Sequence, residues 1–436
     1  MKKFWFITYN LLFLPLFWFV TRIFSLFNAK VRASYKERKG LFTKLEQNLK
    51  TFDPGKKTII IHCSSLGEFE QAKPIIEQLD KSNSYNLVLS FFSPSGYNHS
   101  KLDSIPVSKH FKTYLPFDWY GVEDKFIDTI KPSIVIFIKY DIWFNFLYNL
   151  NKKNITTILA NASYDRKFFK WRFWLTGSYF KTVYNFFSVV ASSNRYNVNH
   201  FKRILSPSVR IEMFGDTKFE RVKQAMVLAK TQSLINSSVL LNKYVIVVGS
   251  SWSEDNNILL PVLDRLNSPA HKNGISILTI LAPHEPTENN LEDIERNVSY
   301  NFPNLKSIRY SNLENYQNEN IILVDCIGIL VTLYKYADIA YVGGAWHLGL
   351  HNVLEPAGYG IPVMFGNGRM SDEAQLLVKK GGGIPIHDGR SLYENLMMLL
   401  KEKDIRNEMG HKSYSLFNNK KETSIKIAEL VSTLTA

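Results

Sequence analysis

The chain has 436 residues, of which 45% are hydrophobic. That excludes a disordered protein and exceeds one ordinary core, so two globular domains of roughly 200 residues each are expected. Lys and Arg number 53 against 39 Asp and Glu, a net charge of +14, which calls for an acidic partner: nucleic acid, an anionic membrane surface or a phosphorylated substrate. The two cysteines, Cys63 and Cys326, lack metal-ligand spacing, which excludes a disulfide framework or zinc ribbon and leaves buried thiols in a reducing compartment as the expectation.

Phe4 to Val20 is almost wholly apolar, interrupted by Thr8, Asn10 and Pro15, and Ile23 to Phe27 continues it beyond Thr21-Arg22. This run is at the short limit for a membrane span unless Arg22 snorkels. No small-residue cleavage site follows, so the expectation is an uncleaved anchor over residues 1–29. A core helix, or one lying in the interface, is the alternative. Lys30, Arg32, Lys36, Arg38, Lys39 and Lys44 follow the run, against Lys2 and Lys3 before it. The positive-inside rule then places the body in the cytoplasm, with this basic run facing anionic lipid.

From Thr58 the chain alternates between short apolar runs and helical stretches. Thr58 to Cys63, Tyr85 to Phe92, Ser133 to Ile138, Ile155 to Ala160 and Phe187 to Ser192 read as parallel strands buried on both faces. A polar helical stretch, Arg221 to Asn236, leads into a second series: Tyr244 to Gly249, Ile275 to Leu281, Ile321 to Val324, Asp338 to Val342 and Pro362 to Phe365. The expected fold is α/β with two Rossmann-like domains, 30–228 and 229–436, the last helices returning to brace the first.

Ligands of such sheets bind beyond the carboxyl ends of the strands. Glu68 stands there in Ser64-Ser65-Leu66-Gly67-Glu68, either as a general base or as a first-turn acid stabilising the helix dipole. Asp141, and Asn161 with Ser163, follow later strands of the same half. In the second half, Ser250 and Ser251 offer hydroxyls and amides to a phosphate or cap a helix, and His284 is at the same rim. Gly343-Gly344 ends a strand, where glycine permits a sharp turn and close approach to a ligand. His351, Asn352 and Glu355 then gather at a helix entrance, with Asn352 also readable as a plain N-cap. Arg166, Lys167, Lys170 and Arg172 interleave with Phe168, Phe169, Trp171, Phe173 and Trp174. That mixture suits single-stranded nucleic acid, a phosphorylated lipid or a plain amphipathic helix, and the apolar amino terminus favours lipid.

His62-Cys63-Ser64-Ser65-Leu66-Gly67-Glu68, Tyr140-Asp141-Ile142-Trp143, Asn161-Ala162-Ser163, Gly215-Asp216-Thr217-Lys218-Phe219, Ala282-Pro283-His284 and Gly349-Leu350-His351-Asn352-Val353-Leu354-Glu355-Pro356 resemble the bacterial Kdo (3-deoxy-D-manno-octulosonic acid) transferases. The resemblance implies a GT-B fold, with two Rossmann-like domains facing a cleft. It also implies inverting, metal-independent transfer of Kdo from CMP-Kdo to a lipid A precursor at the cytoplasmic face of the inner membrane. No cofactor and no nucleic-acid partner are expected.

Carried over residue by residue, Glu68 is the base. Ser250, Ser251, His284, Gly343, Gly344, His351, Asn352 and Glu355 hold the donor, while Ser65, Gly67, Asp141, Asn161, Ser163 and Lys218 line the acceptor side or cleft. The chain departs from the family at Pro283-His284-Glu285-Pro286-Thr287-Glu288, where two arginines are usual, at Gly328-Ile329-Leu330, where Gly-Glu-Leu is usual, and at Leu350, where a second glycine is common. Another nucleotide-sugar transferase or epimerase of the same fold, or a non-catalytic protein of the membrane surface, is the competing expectation.

Overall fold

The computed structural model describes all residues except 101–109, 165–173, 271–274 and 419–421. The basic and aromatic stretch from Arg166 to Phe173 therefore lies outside the described residues, as does the side chain of Trp174. The chain divides into two compact units, Met1–Arg221 with Lys421–Ala436, and Val222–Lys420.

The first unit is built on β1 (Lys57–Cys63), β2 (Tyr85–Phe91), β3 (His110–Tyr114), β4 (Ile134–Ile138), β5 (Thr156–Ala162), β6 (Val189–Ser192) and β7 (Arg210–Met213). They form one sheet in the order β3-β2-β1-β4-β5-β6-β7, each neighbouring pair parallel. Successive side chains of a strand point to opposite faces, and the cores follow that period. Ile60 packs with Val135 and Leu159 on one face, where Trp5, Tyr9, Leu41 and Leu45 cover them. Ile59 and Ile61 pack on the other with Phe69, Ile75 and Ile76 of the helix Leu66–Lys81. The last helix, Thr423–Thr435, adds Ile427, Leu430 and Val431 to that second face. Its start is pinned by the Glu220 carboxylate, which accepts from the amides of Thr423 and Ser424.

The second unit repeats the plan. Its strands are β8 (Tyr244–Ser251), β9 (Ile277–Pro283), β10 (Ser307–Arg309), β11 (Ile321–Leu323), β12 (Ile339–Val342), β13 (Val363–Gly366) and β14 (Gly383–Ile386), in the order β10-β11-β9-β8-β12-β13-β14. The helices Gly389–Lys401 and Lys403–Tyr414 stay with this unit, so of the carboxyl-terminal helices only the last belongs to the first unit.

The amino-terminal helix Lys2–Phe27 includes a wide π-type turn over Tyr9–Phe13, just ahead of Pro15, whose ring leaves no donor and crowds the preceding turn. One side of it docks on the first unit. Trp5 Nε1 donates to Ser178 Oγ at 3.1 Å, Tyr9 Oη to Asp118 at 2.8 Å, and Asn10 exchanges bonds with the Asn145 side chain at 2.9 Å. The other side exposes Leu11, Leu12, Leu16, Phe19, Ile23, Phe24 and Phe27. The following helix, Ala29–Glu37, is capped by Asn28, whose Oδ1 accepts from the amides of Lys30 and Val31.

Two expectations need correction. Arg38 does not face lipid: it is buried, its guanidinium lying 4.6 to 4.9 Å from the Phe92, Tyr114 and Phe117 ring centres. It donates to the carbonyls of Leu115 and Phe92, and burial lowers its pKa to about 10. Of the thiols, Cys63 is buried as expected but Cys326 is exposed, because it follows Val324 and Asp325 out of the sheet.

Candidate functional site

At the end of β1 the chain turns through Ser64 and Ser65 into the helix Leu66–Lys81. The Ser65 hydroxyl accepts the Glu68 amide, and Glu68 Oε2 accepts the amides of Ser64 at 2.5 Å and Ser65 at 3.2 Å. This reciprocal cap satisfies orphan donors of the first turn and fixes the carboxylate at the sheet's rim. Both sequence readings of Glu68 are therefore compatible with its place: one oxygen serves the cap, and no hydrogen bond among the described residues takes Oε1. Burial raises its pKa, with Asp141 adding to the shift and His62 opposing it. Gly67 is exposed beside it.

Asp141, after β4, accepts from Trp143 Nε1 at 2.9 Å and pairs with the buried His62 Nε2 at 2.5 Å. His62, to which sequence reasoning gave no role of its own, is held on its other side by Ser90 Oγ at 2.8 Å. The ring thereby ties β1, β2 and the loop after β4 into one rigid floor beside Glu68.

Asn161 and Ser163 have partners of their own. Asn161 is buried with φ of 55°, donates to Thr217 Oγ1 at 2.7 Å and accepts the Thr217 amide. Thr217 donates in turn to the Gln71 carbonyl, so this group clamps the loop before Lys218 to the helix carrying Glu68. Ser163 Oγ meets Ser193 Oγ at 3.2 Å. Lys218 begins the helix Lys218–Lys230.

In the second unit, β8 and β12 end side by side, Gly343 N donating to the Gly249 carbonyl at 2.9 Å. Gly344, with φ of 95°, donates its amide to Asp255 Oδ2, which also accepts from Trp252 N, while Tyr341 Oη donates to Oδ1. Both glycine amides are thus used inside the protein. The glycines allow close packing: a Cβ on Gly343 would stand 2.5 Å from the Ser250 carbonyl oxygen, and one on Gly344 2.6 Å from that of Gly349. Asp255 was missed by sequence reasoning, although its place three residues after Trp252 at a helix start is a capping spacing.

Beside this turn a pocket of about 290 Å³ is lined by Ser250, Tyr334, Val342, His351, Asn352 and Glu355, among others. Val353 is the N-cap of the short helix Leu354–Gly358; Asn352, one residue before it, accepts the Leu354 amide on Oδ1 and donates from Nδ2 to Glu355 Oε1 at 2.9 Å. Burial raises the Glu355 pKa against that bond. Trp252 Nε1 donates to His351 Nε2 at 3.1 Å, which requires that nitrogen to be unprotonated; burial and then His284 lower the His351 pKa accordingly. His284 stacks on His351 at 4.3 Å and on Trp252 at 4.6 Å, an aromatic wall at the strand ends. Ser251 is buried, its hydroxyl finds no hydrogen-bond partner among the described residues, and Ser250 lines the pocket without it.

The family model for 3-deoxy-D-manno-octulosonic-acid transferase (kdotransferase) matches residues 33–221, the stretch holding Glu68, Asp141 and Asn161. A 3-deoxy-D-manno-octulosonic acid transferase of Haemophilus influenzae is 24% identical over 83% of this chain and 84% of its own. The chain is thus similar to Kdo transferases over most of its length. It is a glycosyltransferase. A bifunctional glycosyltransferase/methyltransferase of Fusobacterium nucleatum is 26% identical over 81% of this chain, which spans about half (54%) of that longer protein.

Among solved structures, a UDP-GlcNAc 2-epimerase from Neisseria meningitidis aligns with a TM-score of 0.60 at 12% identity, covering 87% of this chain and 99% of that one. Acinetobacter baumannii MurG aligns at 0.53 and 12% identity, with the same coverage. These likenesses concern the fold alone, which is of GT-B type.

Proposed function

We propose that this enzyme transfers Kdo from CMP-Kdo to a hydroxyl of a lipid A precursor, lipid IV-A, with inversion at the anomeric carbon and without a metal. The observation that carries the reading is Glu68, a carboxylate fixed at the carboxyl end of β1 with one oxygen in the cap and the other outside it. Glu68 takes the proton of the acceptor hydroxyl as its oxygen attacks the anomeric carbon; CMP leaves with the bonding pair from the opposite side.

The donor lies in the second unit's pocket, where Ser250, Asn352 and Glu355 offer polar contacts to a nucleotide sugar and the His284–His351 wall offers a stacking surface. Ser251, Gly343 and Gly344 shape that pocket from behind. In the first unit, Ser65 and Gly67 flank the base, Asp141 tunes and supports it, Asn161 and Ser163 brace the rim, and Lys218 meets an anionic group of the substrates.

The amino-terminal helix holds the enzyme on the cytoplasmic face of the inner membrane. Its docked side supports a helix lying in the interface, since Tyr9 and Asn10 keep their polar partners in the protein. Lys30, Arg32, Lys36, Lys39 and Lys44, all exposed, meet the anionic lipid.

The test is incubation of purified protein with CMP-Kdo and tetraacylated lipid A precursor. Kdo transfer that is lost in Glu68→Ala is the expected result. No transfer, with binding of a UDP-sugar instead, overturns the substrate assignment; full activity in Glu68→Ala overturns the base.

A further inference from the structure

The first unit holds a cavity of about 540 Å³ between the amino-terminal helix, the helix Ala29–Glu37 and the end of β2. Phe17, Ala33, Tyr35, Phe92, Pro94 and Phe117 give it a largely apolar lining. One wall, Phe17 and Thr21, belongs to the helix whose outer side exposes Leu16, Phe19, Val20, Ile23 and Phe24, so the cavity continues the membrane-facing surface.

The opposite wall reaches the reacting end of the sheet. Ser93 N donates to the Ser64 carbonyl at 2.9 Å, and Ser64 N is the donor held by Glu68. Gly96, in the short helix Pro94–His99, packs so closely on Ser65 that an added Cβ would lie 3.2 Å from its carbonyl carbon. Behind this wall, buried Arg38 bonds the Phe92 carbonyl and keeps the loop in place. Lys30 and His99 bring cationic or protonatable groups to the lining, while Glu37 is engaged by Tyr114 and Asn98.

We propose that this cavity takes one acyl chain of the lipid acceptor, drawn from the bilayer side, and so sets the acceptor hydroxyl against Glu68, with an acceptor phosphate at Lys30. The inference rests on the proposed lipid acceptor and adds the place of its chain. A second copy of the chain or a peptide is less suited, because the cavity adjoins an exposed apolar helix bordered by lysines, a surface complementary to anionic lipid.

Two measurements test it. Wild-type enzyme is photolabelled with a tetraacylated disaccharide bisphosphate carrying a diazirine near an acyl terminus; the label is expected on peptides 29–35 and 92–99. In parallel, Ala33→Trp, which fills the cavity, is compared with wild type on the tetraacylated acceptor and on its deacylated, soluble counterpart. The ratio of kcat/KM for the two acceptors should fall about tenfold in the variant, as expected for leaving roughly two methylenes unburied. Label confined to other peptides, or an unchanged ratio in a variant that melts like wild type, overturns the proposal. Should Ala33→Trp not fold, the photolabel decides alone. If wild type transfers Kdo to neither acceptor, the functional reading fails, and the labelled peptides still report separately whether the cavity holds a chain.

Discussion

His62 Nε2 and Asp141 Oδ2 stand 2.5 Å apart, the ring wholly buried and the carboxylate nearly so. The pair joins the end of β1 to the loop after β4 and forms the floor on which the Glu68 turn is built. Removing Asp141 leaves the buried His62 nitrogen without its hydrogen-bond partner, a loss of about 1–3 kcal/mol. Asp141→Ala should therefore lower the unfolding free energy by that order in a urea titration. Asp141→Asn, which can still accept from His62 and Trp143, should lose less.

Glu68 has a separate signature in the pH dependence of the rate. A base works ionised, and burial of Glu68 favours the protonated form, raising its pKa above the ordinary 4.5. The acid limb of log(kcat/KM) should accordingly inflect above pH 4.5 and fall as pH drops. Glu68→Gln can still accept the Ser64 and Ser65 amides, so its melting temperature should stay close to wild type. Its rate should fall by about 10²–10⁴, the usual worth of a general base.

Much of this was legible in the chain. The ten buried strands announce themselves as continuous apolar runs because both faces of a parallel sheet are covered. The four strands that sequence reasoning missed, β3, β7, β10 and β14, are the four sheet edges. His110 and Lys112, Arg210 and Glu212, or Ser307 and Arg309 interrupt three of them, and the fourth is the four-residue Gly383-Ile384-Pro385-Ile386. An edge needs no continuous apolar run and is protected by charge and proline, which erases the signal. Within the site, residue types located the strand ends, but hydrogen-bond assignments could not be read. Gly343 and Gly344 resemble a phosphate cradle in sequence, and only the positions of Gly249 and Asp255 show where their amides go. Arg38 misled for a similar reason: its neighbours in sequence are solvated lysines, while its partners, Phe92, Tyr114 and Leu115, come from distant strands.

Glu123 offers a test of stability against pH. It lies on the helix Tyr120–Ile130, fully buried, and neither carboxyl oxygen has a hydrogen-bond partner among the described residues. Burial, with Asp118 adding to it and Arg38 opposing, holds its pKa well above 4.5. The folded protein therefore keeps a proton that the unfolded chain sheds above about pH 4.5. This contribution is complete below that pH and declines as pH rises toward the folded pKa, by about 1.4 kcal/mol per unit. Glu123→Gln, neutral throughout, should remove this part of the decline, seen as a flatter unfolding free energy as pH rises above about 4.5 in urea titrations. An identical pH slope in the variant would contradict the assignment.

The amino-terminal helix predicts a particular mode of membrane attachment. A spanning helix would have to surrender the bonds from Trp5, Tyr9 and Asn10 to Ser178, Asp118 and Asn145, and leave Asp118 with one donor fewer inside the protein. A helix lying in the interface keeps all three and still buries Phe19 and Phe24, 58% and 59% exposed, among acyl chains. Each buried phenylalanine contributes about 1.5–3 kcal/mol. The double variant Phe19→Glu, Phe24→Glu should therefore lose cosedimentation with phosphatidylglycerol vesicles while remaining folded, because neither side chain is part of the docked face. Raising salt should weaken wild-type binding in part, through the exposed lysines from Lys30 to Lys44, and leave the apolar share intact. A cysteine placed at Leu12 should be protected from a water-soluble maleimide by vesicles added from one side alone. Protection that instead requires reconstitution across the bilayer would establish a span.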